Sequence, residues 1–265
     1  MQLIKLIQFL ESIAPPHLQE DYDNAGLIVG DKSMEIKGVM VCLDSIEAVI
    51  DEAIQKKCNV VVAHHPIIFK GLKQLNGKNY IERTIIKAIK NDIAIYAIHT
   101  NLDNVLYHGV NQKIAQKLNL QSCKILSEHP VHSTKKIPIG AGIIGSLKNA
   151  MTPMAFLKFI KKQMDVSVIR HTTLTSGKVK KIVVCGGSGS FLLQQARAAK
   201  ADVFITADFK YHEFFDANND IIIADIGHYE SEQYTIELLH ELISKKFRKF
   251  AAHYTKVNTN PINYF

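Results

Sequence analysis

At the start of the chain, apolar residues recur at helical spacing: Leu3, Ile4, Ile7 and Leu10 share one face, and Pro15 and Pro16 follow. This predicts a first helix stopped by the prolines. The pattern then changes to short, continuously apolar runs. These are GVMVC from Gly38, VVVA from Val60, IAIYAI from Ile93, KIVVC from Lys181, VFIT from Val203 and IIIA from Ile221. Runs of this length, bounded by polar residues and separated by helical spacing, read as strands of a parallel or mixed sheet covered on both faces. Helices are expected at 80–90, 110–118 and 232–243, with a further amphipathic segment at 156–164.

The runs repeat. KGVMVCLDS, a helical stretch and NVVVAHHP are echoed by KKIVVCGGS, a helical stretch and DVFITADF, and the spacing from Cys42 to Asn59 equals that from Cys185 to Asp202. At that offset His64 falls opposite Ala207 and His65 opposite Asp208. Two βαβ copies are implied, each continuing into a third apolar run. The fold class is therefore α/β, with a first repeat at 1–120, a linking or inserted segment at 121–180 and a second repeat at 181–265.

Composition narrows this picture. With 47% hydrophobic and 22% charged residues the chain has globular proportions, and no segment approaches the length of apolar sequence that a bilayer span needs. Gln8, Glu11 and the lack of a small-x-small cleavage site argue against a signal sequence. Cys42, Cys58, Cys123 and Cys185 are far apart and form neither a CxxC pair nor a disulfide framework, so a reducing cytoplasm is the expected location. The net charge of +7 is spread over scattered lysine pairs such as Lys56-Lys57, Lys135-Lys136 and Lys161-Lys162. Without an aromatic-interleaved stripe this argues against nucleic-acid binding.

In open α/β sheets ligands collect beyond the carboxyl ends of strands. Four such ends here are loaded: His64-His65-Pro66, His99-Thr100-Asn101-Leu102-Asp103, Ala207-Asp208, and Gly227-His228-Tyr229-Glu230-Ser231-Glu232. A lone strand-end histidine is more often an ordinary hydrogen-bonded residue, and a carboxylate in a helix's first turn often serves the dipole. Here the coincidence of four loaded ends outweighs each bland reading. Imidazole with carboxylate suits zinc, manganese or iron, and five such ligands with water can serve two divalent ions. His228 and Glu232 are four apart and would share a helical face. The run Gly186, Gly187, Ser188 and Gly189 stands where amides cradle phosphate, although it lacks the P-loop lysine and reads equally as a tight turn.

These residues resemble a known family, the NIF-three-like or YbgI-like proteins, labelled GTP cyclohydrolase 1 type 2 homologues. The resemblance runs through Asp21-Tyr22-Asp23-Asn24-Ala25-Gly26-Leu27, Val41-Cys42-Leu43-Asp44, Ala63-His64-His65-Pro66, the stretch from His99 to Asp103, Gly186-Gly187-Ser188-Gly189, Thr206-Ala207-Asp208, His212, the stretch from Gly227 to Glu232, and Asn260-Pro261. It implies two intertwined α/β repeats and a dinuclear centre held by His64, His65, Asp103, His228 and Glu232, with Glu232 bridging. It also implies a toroidal homohexamer with its sites facing a cavity, and this chain has no room for the extra domain that some longer relatives carry. One departure is Thr206-Ala207-Asp208 where relatives often have Thr-Gly-Asp, which would change backbone freedom there.

The expected function is metal-dependent hydrolysis of a nucleotide-like or phosphate-bearing substrate. His99, Asp208 and His212 are then candidates for orientation or proton transfer. The alternative is a non-enzymatic metal-handling or regulatory protein using the same ligands.

Overall fold

The computed structural model describes residues 1–134 and 137–265; the Lys135-Lys136 pair lies outside them. In chain order the elements are α1 (Leu3–Ile13), β1 (Gly26–Val29), β2 (Gly38–Cys42), α2 (Glu47–Gln55), β3 (Val60–Ala63), α3 (Tyr80–Lys90), β4 (Ala94–Ala97), α4 (Thr100–Asp103), α5 (Val110–Lys117), β5 (Gln121–Glu128), β6 (Gly140–Met151), α6 (Pro153–Met164), β7 (Arg170–His171), β8 (Val179–Ser188), α7 (Leu193–Ala198), β9 (Val203–Ala207), β10 (Ile222–Asp225), α8 (His228–Glu232), α9 (Thr235–Lys246) and β11 (Ala251–Tyr254). No described helix is long and apolar enough to cross a membrane.

Two compact units result, one formed by 1–102 with 235–261 and the other by 103–234 with 262–265. The first holds a five-stranded sheet in the order β1-β4-β3-β2-β11. Its strands β2, β3 and β4 are parallel and buried at every position, as continuous valine and isoleucine runs require when both faces are covered. Strand β11 adds in parallel to β2, and β1 closes the far edge antiparallel to β4. Val49, Ile50 and Ala53 of α2 and Ile85 and Ala88 of α3 pack on one face with Met40, Val61 and Ile95. Helix α1 buries Leu3, Leu6, Ile7 and Leu10 and ends at Ala14 before the prolines.

The second unit holds a six-stranded sheet in the order β5-β6-β8-β9-β10-β7. Strands β8, β9 and β10 repeat the parallel βαβ arrangement of β2, β3 and β4, so the duplication seen in the apolar runs is a duplication of structure. Both third strands also carry an antiparallel neighbour, β1 on β4 and β7 on β10. Residues 121–180, which the sequence reads as a linking segment, supply β5, β6, α6 and β7 and the start of β8. The helix expected at 232–243 is two helices broken at Gln233 and Tyr234. The Gln233 amide donates to Met164 O and Glu230 O, and Tyr234 stacks under the Lys117 ammonium, which holds the break in place.

Candidate metal centre

In the first unit the polar residues gather where β2, β3 and β4 end. His64 and His65 follow β3 directly, and His99 follows β4 and precedes α4. Potential ligand atoms of these three histidines lie within 4.8 Å of one another, and each ring is held from behind. His64 Nδ1 donates to Ile98 O at 2.8 Å, His65 Nδ1 to Asp44 Oδ1 at 2.7 Å and His99 Nδ1 to Asp23 Oδ1 at 2.8 Å. Carbonyls and ionised carboxylates only accept, so all three rings carry the proton on Nδ1 and turn Nε2 to other partners. Metal-ligating histidines are oriented in this way.

The supports are themselves fixed. Thr259 Oγ1 donates to Asp44 Oδ2 at 2.6 Å. Asp23 also accepts from the Thr100 amide and hydroxyl. Burial favours the neutral acid at Asp23, but the bonds from His99 and Thr100 and the His99 charge outweigh it and hold the pKa at about 2.

The second unit gathers the carboxylates. His228 and Glu232 lie on one face of α8, with His228 Nε2 3.1 Å from Glu232 Oε2, as their spacing predicts. His228 Nδ1 is held by Asp208 Oδ2 at 2.7 Å. Burial opposes charge on His228, yet the bonds to Asp208 and Glu232 push its pKa up to about 11. Two carboxylates thus favour positive charge at this imidazole, a demand that a divalent ion would answer in place of the proton. The backbone oxygen of Asp103 accepts from Asn111 Nδ2, whose Oδ1 in turn accepts from the Gly186 amide. Burial first, then the Asp103 and Glu232 charges, push the Cys185 thiol pKa up.

The glycine run serves this packing. The Gly186 amide is spent on Asn111 and the Gly187 amide on Ser231 Oγ at 2.9 Å, so neither is turned to a phosphate. Gly187 has φ +63°, and a Cβ there would overlap Glu232 Oε1 and sit 3.2 Å from its Cδ. Its lack of a side chain is what lets the Glu232 carboxylate close against β8.

The Thr-Ala-Asp departure is harmless for a related reason. Ala207 is an ordinary buried strand residue, and the left-handed conformation falls on Asp208, at φ +60°, a residue type that tolerates it. His212 sits exposed on a 3-10 turn, and its described contacts are with the rings of Tyr211 and Phe215 rather than with His228. Asp23 and Asp44, the acceptors behind His99 and His65, are residues that the strand-end reading missed. Asp44 lies just beyond β2, where the same rule would have found it, while Asp23 has only its place in the Asp-Tyr-Asp-Asn stretch.

Comparison with known proteins agrees with this picture. The family model Duf34/NIF3 (NGG1p interacting factor 3) matches residues 1–261. The chain belongs to the DUF34/NIF3 family. A relative named GTP cyclohydrolase 1 type 2 homolog from Clostridium acetobutylicum is 33% identical over 255 residues, covering 96% of this chain and 92% of that protein. Among solved structures of NIF3 type, a Staphylococcus aureus protein is 30% identical with a TM-score of 0.90, covering 100% of this chain and 99% of that one. A Bacillus cereus protein related to NIF3 matches with the same TM-score and coverage at 26% identity. Membership of the NIF3 family, the mixed α/β fold and the presence of His, Asp and Glu clusters able to hold metal are thus established for this chain.

Proposed function

We propose that His64, His65, Asp103, His228 and Glu232 together hold two divalent ions, zinc, manganese or iron, and that this centre hydrolyses a nucleotide-like or phosphate-bearing substrate. The observation that carries the reading is the Nδ1 support behind each imidazole: Ile98 O for His64, Asp44 for His65 and Asp208 for His228. An ordinary surface histidine has no need of it. When bound, such ions supply acidified water and polarise the bond under attack.

The remaining work belongs to the side chains. Asp44 and Asp208 keep their imidazoles in the Nδ1–H tautomer. His99, backed by Asp23, is placed to exchange a proton at Nε2 or to serve as a further ligand beside His64 and His65. Asp208 is a positioning residue in this scheme. The resemblance to NIF-three-like proteins extends the proposal to a toroidal homohexamer, to be measured by light scattering.

Elemental analysis of untagged protein purified without chelator tests the centre. About two ions per chain in the wild type, by the two-ion stoichiometry of such hydrolytic sites, should fall sharply in Glu232→Ala. Turnover in a screen of nucleotides and phosphoesters should fall with it. Absence of metal, with none taken up on reconstitution, would overturn the proposal; metal transfer to an apo acceptor without any turnover would favour a metal-handling protein.

A further inference from the structure

A cavity of about 610 Å³ opens in the second unit between β7 with the two threonines after it and the 3-10 turn Tyr211–Ala217. Its size falls in the roughly 300–1,000 Å³ range of small-molecule sites. One wall is aromatic. The rings of Tyr211 and Phe215 are 5.7 Å apart at 73° to each other and are 73% and 68% exposed, an open aromatic corner with His212 packed against both rings.

The rim is polar. Asn218 and Asn219 follow the turn and line the cavity with two amide side chains, each both donor and acceptor, the Asn218 Nδ2 also donating to Asp220 Oδ2 at 3.4 Å. Arg170 lines it too, with its guanidinium carbon 5.5 Å from the Phe214 ring centre. That guanidinium is committed to the Asp225 carboxylate and to Phe209 O, so Arg170 is not spare for a phosphate.

We infer that this cavity binds a planar, nitrogen-bearing aromatic ring of the nucleobase type, set face-on against one of the Tyr211 and Phe215 rings and edge-on against the other, with its polar edge read by Asn218 and Asn219. Stacking suits any flat π-face, and the paired donors and acceptors of the amides suit the edge of a nitrogen heterocycle better than an aliphatic or anionic ligand. The inference rests on the proposed hydrolase only in taking this ring as part of the substrate.

Calorimetric titration of the full chain with guanosine, a nucleoside without phosphate, tests it. Saturable binding is expected that weakens about tenfold or more in Phe215→Ala and in Tyr211→Ala, in line with the loss of one stacking partner, and that is unchanged in Glu232→Gln. Both truncated side chains are largely exposed, so folding does not depend on them. The inference is overturned if guanosine, adenosine and cytidine all fail to bind, or if binding survives both truncations. It is also overturned if affinity climbs with oligonucleotide length, or if Phe215→Ala dissociates an oligomer while leaving guanosine binding intact. Guanosine binding with this mutational pattern in a protein that takes up no metal would sink the hydrolase reading and leave the cavity assignment standing.

Discussion

Replacing Gly187 with alanine adds one methyl group to β8, and its effect can be worked from two separable sources. The backbone at φ +63° is left-handed, which costs an L-residue about 1–2 kcal/mol. The new Cβ would also occupy the space of Glu232 Oε1, and Glu232 is 3% exposed, so its carboxylate must leave its place beside His228 Nε2. Loss of a charge-assisted bond adds about 1.5–3 kcal/mol, for a total of roughly 2.5–5 kcal/mol. Urea denaturation of Gly187→Ala, Glu232→Ala and the double variant separates the two sources. In the Glu232→Ala background the alanine should cost only the backbone share, giving a coupling of about 1.5–3 kcal/mol. Metal content should fall in Gly187→Ala, as it should in Glu232→Ala. Equal costs in both backgrounds, or full metal content in Gly187→Ala, would refute the idea that this glycine exists to seat Glu232.

Further tests address other parts of the molecule. Asp208→Ala removes the acceptor behind His228 and should weaken metal affinity about 10- to 100-fold by chelator competition, while Asp208→Asn, which keeps an acceptor and tolerates the left-handed backbone, should lose less. Stripping metal with chelator should lower the urea midpoint, and restoring free metal should return stability as the logarithm of its concentration, about 2.7 kcal/mol at a hundredfold excess over Kd. Asn79 caps α3, accepting from the Glu82 amide and donating to its carboxylate, so Asn79→Ala should cost about 1 kcal/mol in the same assay. Burial pushes the Cys58 thiol up to about 11 from 9.0. A raised thiol pKa lowers the reactive thiolate at a given pH, so native alkylation at pH 8 should run about 100-fold slower than for an unperturbed thiol, one factor of ten per unit. It should accelerate as pH rises toward 11, followed by mass spectrometry.

What was legible in the sequence was legible for local reasons. The parallel strands announce themselves because a strand covered on both faces can afford no polar residue, and the duplication shows because both copies obey that constraint. His228 and Glu232 could be paired because four residues make one helical turn. The support given by Asp23 to His99 spans 76 positions and leaves no periodic trace. Nothing in residues 251–254 states that β11 belongs beside β2, so the division into units was not legible from the apolar pattern. The glycine run suggested phosphate because only tertiary contacts reveal that Asn111 and Ser231 already occupy its amides.

The return of β11 to the first sheet has a consequence for synthesis on the ribosome. Residues 103–234 are continuous and can complete β5 through β10 as they emerge. The first sheet, although most of it is made earlier, keeps β2 as an open edge until Tyr254 has left the exit tunnel. That edge is the Gly38–Cys42 strand, apolar and buried at every position in the finished protein, the kind of edge on which another chain can pair. The half that is begun first is thus the half that is closed last, and for that interval the β11 side of β2 has no strand to pair with.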